Sequence, residues 1–157
     1  MMAIPRVYAD TSVFGGVFDE EFRDTSRTLF DQVRDGRFSL VTSALVQEEI
    51  GPAPPDVQRL FADMLRFMEV AEINQSALDL RSAYVEAGIV APKWAEDALH
   101  VAIASVASCT MIVSWNFKHI VHYDKIPLYN AINILKGHAP ISIFSPQEVI
   151  VYEDQDL

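Results

Sequence analysis

Apolar residues along this chain fall into short blocks separated by polar turns, and two periods alternate. Val7-Tyr8-Ala9, Phe38 to Thr42 and Met111-Ile112-Val113-Ser114 are dense runs of strand formers bounded by turn residues, the pattern of buried strands. Between them the spacing becomes helical. Leu29, Phe30 and Val33 mark a helix that Asp24 or Thr25 can cap and that Gly36 stops near Asp35, whereas Gly15-Gly16 reads as a loop. Ser43 caps a helix carrying Glu48 and Glu49, and Gly51-Pro52-Ala53-Pro54-Pro55 breaks it. Val57, Leu60, Phe61, Met64, Leu65 and Met68 then form one side of a helix from about Asp56 to Met68. Val70 to Ile73 reads as a short strand, and Ser76 to Ala87 as a helix closed by Gly88.

The best-defined element runs from Ala95 to Ser108 without glycine or proline, and Pro92 suits the turn that opens it. Ala98, Val101, Ala102, Ser105 and Val106 recur at helical spacing, a small apolar face able to approach a sheet closely. Glu96 and Asp97 sit in its first turns, where the helix dipole favours carboxylates whatever their function. Leu128 to Lys136 is a further helix stopped by Gly137, and Ile141 to Phe144 is a last strand. Ser145-Pro146-Gln147-Glu148 spells a capping box. Strands alternating with helices predict an α/β fold whose mainly parallel sheet is covered on both faces. Residues 1–150 read as one domain and 151–157 as an acidic tail.

Composition narrows this picture. With 157 residues, half of them hydrophobic, the chain can bury a real core, so disorder is not the default. The net charge of −10, from 12 basic against 22 acidic residues, argues against nucleic-acid binding by simple electrostatics. Cys109 is the sole cysteine, which excludes an internal disulfide or a multi-cysteine zinc site and fits a reducing, cytoplasmic setting. The stretch Ala98 to Trp115 lacks charged residues and is long enough to raise the question of a membrane span. His100, Ser105, Ser108 and Thr110 interrupt it and no basic cluster flanks it, so it divides into a helix, a turn and a strand, and no membrane contact is expected.

In open parallel sheets, ligands bind beyond the carboxyl ends of the strands. Asp10 and Asn116 both follow strands there, Glu49 lies on the helix after the second strand, and Asp97 begins a helix. Four oxygen donors could converge. Carboxylates about 4 Å apart repel by roughly 1–4 kcal/mol per pair in watery to surface-like surroundings, so such a cluster calls for a cation, and hard oxygen donors select Mg²⁺ or Mn²⁺ over zinc. Glu48 competes with Glu49, since adjacent helical residues point about 100° apart, and spacing from Ser43 favours Glu49.

Val7-Tyr8-Ala9-Asp10-Thr11-Ser12, Ser43 with Glu49-Ile50, Asp97-Ala98-Leu99-His100-Val101-Ala102 and Ser114-Trp115-Asn116-Phe117 together resemble the successive motifs of PIN-domain proteins, in order and spacing, from Val7 to about Ile120. Within that family the chain is most similar to the VapC-type toxin ribonucleases of toxin–antitoxin pairs. The resemblance implies a PIN-like α/β/α sandwich whose acidic pocket binds Mg²⁺ or Mn²⁺ and hydrolyses RNA phosphodiester bonds, with an antitoxin protein as partner. Asp10, Glu49 and Asp97 match the first three family acids. Asn116 stands where many members carry a fourth, so an uncharged amide replaces a carboxylate. Thr11 is expected to support the pocket by hydrogen bonding, and Glu49 to act as a ligand through water or as the base.

Other readings stay beside these. His100, one turn beyond Asp97, can bond that acid or be a packed structural histidine, the commoner role. Lys118 and His119 can reach a substrate phosphate or simply be solvated, and Trp94 and Trp115 can stack on bases or complete a core. A homodimer is expected from family likeness and from the apolar stripe between Asp56 and Met68. Two alternative functions are a PIN-like binding module that has lost turnover through Asn116, and a metal-dependent phosphohydrolase built on Asp10. The second would want an aspartate at position 12, where the chain has Ser12.

Overall fold

The computed structural model describes residues 3–152, so the predicted acidic tail from Glu153 onward lies outside the described residues. Each run of strand formers becomes a strand: β1 (Arg6–Ala9), β2 (Ser39–Ser43), β3 (Met68–Ala71), β4 (Met111–Val113) and β5 (Ser142–Phe144). All neighbours pair in parallel in the order β3-β2-β1-β4-β5, with Tyr8 opposite Val41 on one side and Ile112 on the other. Val7, Tyr8 and Ala9 are wholly buried, as a central strand covered on both faces requires.

Helices α1 (Thr11–Gly16), α2 (Arg23–Arg34), α3 (Ala44–Ile50) and α4 (Pro55–Met64) pack among themselves, with α8 (Pro146–Val149) against α2. Helices α5 (Gln75–Glu86), α6 (Ala95–Val106) and α7 (Ile126–Leu135) form a second group in which α5 lies along both others. Right-handed crossovers explain the division. The chain steps from β1 through β2 to β3 in one direction, then returns past β1 to β4 and β5 in the other, which puts the later helices on the opposite face. The expected PIN-like α/β/α architecture is the one found.

Several boundaries differ from the sequence reading, each for a tertiary reason. Gly15-Gly16 is not a loop but the end of α1. A Cβ on Gly16 would lie 2.6 Å from Ser26 Oγ and 2.8 Å from Trp115 Nε1, so the glycine is there for close approach. Helix α2 starts at Arg23, before either predicted cap, where Phe22 stacks on Trp115 with ring centroids 4.2 Å apart. The helix predicted to reach Met68 ends at Met64, followed by a single turn of 3₁₀ helix, because Met68 is taken into the sheet opposite Leu40.

That shortening bears on the expected dimer. Val57, Phe61 and Met64 of the stripe are buried and Leu60 and Met68 are partly so, which leaves Leu65 as its exposed member. The stripe belongs to the core. Exposed aliphatic side chains lie instead on α7, at Leu128, Ile134 and Leu135. Helix α6 is buried from Ala98 through Ser105, and no described helix is long and apolar enough to cross a membrane.

Candidate active site

Strand order changes direction between β1 and β4, and both strands deliver polar residues at that point: Asp10-Thr11-Ser12 after β1 and Ser114-Trp115-Asn116 after β4. A crevice between diverging connections is the expected place for a ligand in such a sheet. Asp10 stands at the N-cap of α1, yet its carboxylate makes no capping bond. Ser12 Oγ donates to Asp10 Oδ1 at 2.5 Å, and Ser114 Oγ to Oδ2 at 2.7 Å.

The direction of those bonds follows from their neighbours. Ser12 Oγ accepts the Trp115 N–H at 2.9 Å and Ser114 Oγ accepts the Asn116 N–H at 2.9 Å, so each hydroxyl has its own proton to give to Asp10. Asp10 is only 4% exposed. Burial pushes its carboxyl above the usual carboxylate range and nearby Glu49 adds to this, while His100 and the two serine hydroxyls oppose it.

Glu49 faces inward from α3 and Glu48 faces solvent. Thr11 Oγ1 donates to Glu49 Oε1 at 2.7 Å, and His100 Nε2 lies 2.6 Å from the same oxygen. Both contacts fall on Oε1, which leaves Oε2 for a ligand. Partial burial raises the Glu49 carboxyl, but the His100 hydrogen bond and charge together with the Thr11 hydroxyl outweigh it, so it titrates below its usual range. Behind His100 the chain of contacts continues inward. Its Nδ1 is 2.8 Å from the Tyr8 hydroxyl, which is 2.8 Å from Ser43 Oγ. An ionised carboxylate only accepts, so His100 Nε2 carries a proton toward Glu49. His100 thus bonds Glu49 across the fold rather than Asp97 on its own helix.

Asp97, half-buried in the first turn of α6, has its Oδ2 2.7 Å from His119 Nδ1. His119 is held from three sides. Its N–H donates to Asn116 Oδ1 at 2.9 Å, its carbonyl accepts the Tyr129 hydroxyl at 2.7 Å, and its ring lies against Trp94 with centroids 4.7 Å apart. The segment after β4 therefore does more than pack: Tyr129 on α7 fixes the histidine that orients Asp97. Asn116 forms the turn that places His119, and only the second lone pair of its amide oxygen is left for a cation.

Glu49 and Asp97 line a cleft of about 830 Å³ that also takes in Arg81, Lys93, Trp94 and Glu96. Asp10 is not on that wall; it lies beneath, close enough to Glu49 for their charges to interact. Lys118 is exposed, its Nζ 5.9 Å from the Trp94 ring centroid. Among the described residues no three His, Cys, Asp or Glu side chains gather as a ready cation cage. The donors fit Mg²⁺ or Mn²⁺ in kind, being hard oxygens whose outer bonds to hydroxyls and imidazoles orient them as metal-binding carboxylates are oriented. They are held separately, Asp10 by Ser12 and Ser114, Glu49 by Thr11 and His100, and Asp97 by His119.

The Asp97–His119 pair is what the sequence reading missed. It spans 22 residues and no local period connects them; from sequence His119 reads, with Lys118, as a contact to substrate phosphate or a solvated residue.

No family model matches this chain, and no curated protein matches it in sequence. Solved structures do. A chain of VapBC2 from Rickettsia felis, bound to a DNA fragment from their promoter, aligns with a TM-score of 0.56 at 13% identity, over 88% of this chain and 96% of that one. A chain of FitAcB from Neisseria gonorrhoeae aligns with a TM-score of 0.54 at 11% identity, over 91% of this chain and 99% of that one. At such identities the likeness is one of fold.

Proposed function

We propose that this chain is a Mg²⁺- or Mn²⁺-dependent endoribonuclease, the toxin of a toxin–antitoxin pair, cutting RNA phosphodiester bonds at the cleft that Glu49 and Asp97 line. The observation that supports this reading is that Glu49 and Asp97 line one cleft, with the buried Asp10 following β1 where strand order reverses and close enough to Glu49 for their charges to interact. The shared fold with VapBC2 and FitAcB supports it, as do the motifs that carry the resemblance. An antitoxin covering the cleft belongs to the same proposal.

Asp10, Glu49 and Asp97 would hold the cation, with Asn116 contributing its amide oxygen. When bound, the cation supplies a Lewis acid that polarises a phosphate oxygen and favours ionisation of the attacking water. Glu49 would orient the attacking water and take its proton as the new P–O bond forms and the ester P–O bond breaks, the departing ribose oxygen taking a proton from solvent. Thr11 and His100 keep Glu49 ionised and aimed. His119 aims Asp97 by occupying Oδ2.

A second reading is a PIN-like module that binds without turning over, and the turn-forming bond of Asn116 favours it. Asp10 as a phospho-acceptor is disfavoured, because both its oxygens are hydrogen-bonded and it is buried. One experiment separates them: cleavage of a panel of structured RNAs in Mn²⁺ and Mg²⁺, with chelator, Asp10→Ala and Asp97→Ala as controls. Metal-dependent cleavage lost in both variants supports the nuclease. A folded protein that binds Mn²⁺ and cleaves nothing supports the module.

A further inference from the structure

Helix α7 has its polarity reversed. Its ten residues include no charged side chain, although charged residues make up 22% of the chain, and its polar side chains bond inward. Asn130 donates from Nδ2 to the Ile141 carbonyl at 3.0 Å and accepts the Ile141 N–H at 2.7 Å. Asn133, wholly buried, accepts the Tyr84 hydroxyl and donates to Ser105 Oγ at 2.9 Å, while the Tyr129 hydroxyl donates to the His119 carbonyl. The outer face is left with apolar positions: Pro127, Leu128, Ala131, Ile134 and Leu135 are all exposed, at the spacing of one helical stripe.

The stripe is longer than the helix. The Ile126 N–H bonds to the His122 carbonyl at 3.0 Å, so the preceding turn is helical and Tyr123, 79% exposed, falls one turn before Pro127. Leu128, Ile134 and Leu135 are 49%, 62% and 74% exposed. The stripe therefore presents on the order of 600 Å² of largely apolar surface, the upper end of the largest patch on a typical monomer. Two such stripes closed on each other exclude roughly 1,200 Å² from water, which reaches the size of a specific, stable interface.

A second copy of the same stripe matches this face without burying a charge. In an antiparallel pair about a two-fold axis at Ala131, whose small side chain allows close approach, Leu128 meets Ile134 of the partner subunit. The ends match as well. Asp124 precedes the stripe and Lys136 follows it, both exposed and neither in an ion pair among the described residues, so Asp124 comes to the end that carries Lys136 of the partner subunit. A parallel pair would set like charge on like. We propose that two copies of this chain associate through the outer face of α7 as an antiparallel, two-fold pair. The pairing needs neither metal nor RNA, so its test is separate from that of the nuclease reading.

Sedimentation equilibrium of the full chain at neutral pH reads it directly. A dimer is expected at about 10 μM, a concentration at which interfaces of this size are populated. Ile134→Asp sets a carboxylate into the pair twice per dimer and should weaken association at least about 100-fold; Ile134→Ser, a milder change at an exposed position, should weaken it in the same direction. Asp124→Lys alone should weaken the dimer several-fold, and Asp124→Lys combined with Lys136→Asp should restore it, as the antiparallel arrangement requires. Circular dichroism of each variant checks that it is folded. A chain still monomeric at about 100 μM overturns the pairing and leaves the stripe to a different protein. A dimer indifferent to both changes at Ile134 overturns it too, by placing the contact on another face, and a charge exchange that fails to restore association overturns the antiparallel arrangement.

Discussion

Glu49 Oε1 and His100 Nε2 meet at 2.6 Å, joining α3 in one layer of the sandwich to α6 in the other across the carboxyl edge of the sheet. The contact has a defined pH signature. The Glu49 carboxyl titrates below its usual range in the folded chain, so its stabilising contribution is present above the unfolded value near pH 4.3, and falls away as pH drops through the lower folded value. Urea midpoints of wild type and Glu49→Gln, compared from neutral pH downward, should keep a constant separation to about pH 5.5 and change relative to each other only below it. A separation that changes near neutrality would mean another group governs the pair.

Thr42 Oγ1, wholly enclosed in β2, finds no hydrogen-bond partner among the described residues. Thr42→Val keeps the branched shape and removes the buried hydroxyl, so it should raise stability by about 1 kcal/mol, the lower end of the cost of an unsatisfied polar group. Thermal unfolding reads it, and a fall in Tm would show that the hydroxyl has a partner.

Gly16→Ala places a methyl against Ser26 Oγ and the Trp115 indole, at distances no packed carbon tolerates. The expected cost is about 1–3 kcal/mol, as for other overpacked sites. Because the displaced group is Trp115, its emission should also move to the red in the folded variant. Stability equal to wild type would indicate that α1 can slide without loss.

Burial pushes the Cys109 thiol up to about 11, with nearby Arg6 opposing and Glu69 assisting. The nucleophile is the thiolate, so at about pH 8 labelling by a disulfide reagent should be roughly 200-fold slower than for a free cysteine of ordinary pKa. Adding urea through the unfolding transition should restore the ordinary rate. Fast labelling of the folded chain would place Cys109 at the surface.

Where short-range chemistry decides the outcome, the sequence is a sufficient guide here. Gly36, Gly88 and Gly137 all stop helices with positive φ, and Glu148 Oε1 accepts the Ser145 N–H, the backbone half of the predicted capping box, while the Ser145 hydroxyl donates to the same oxygen. Spacing from Ser43 correctly separated Glu49 from Glu48. What escaped depends on contacts distant in sequence. Gly15-Gly16 reads as a loop because glycine is a poor helix former, and only the indole packed against Gly16 explains its place in α1. His100 was weighed against Asp97, its neighbour at helical spacing, but the sheet brings Glu49 to it from 51 residues away. The Asp97–His119 pair and the tyrosine that holds it involve three separate segments, so no window along the chain contains them.

The hydrogen bond from Ser114 to Asp10 closes a loop of 104 residues, and β1 cannot complete its pairing until β4 exists. Contacts so distant make the centre of the sheet slow to assemble, since the entropy of closing the loop is lost before burial compensates it. Asp10 precedes Ser114 by 104 residues and remains a solvated loop carboxylate until that serine is in place. A chain that stops short of Ser114 thus carries its first acid without the hydroxyl that holds it.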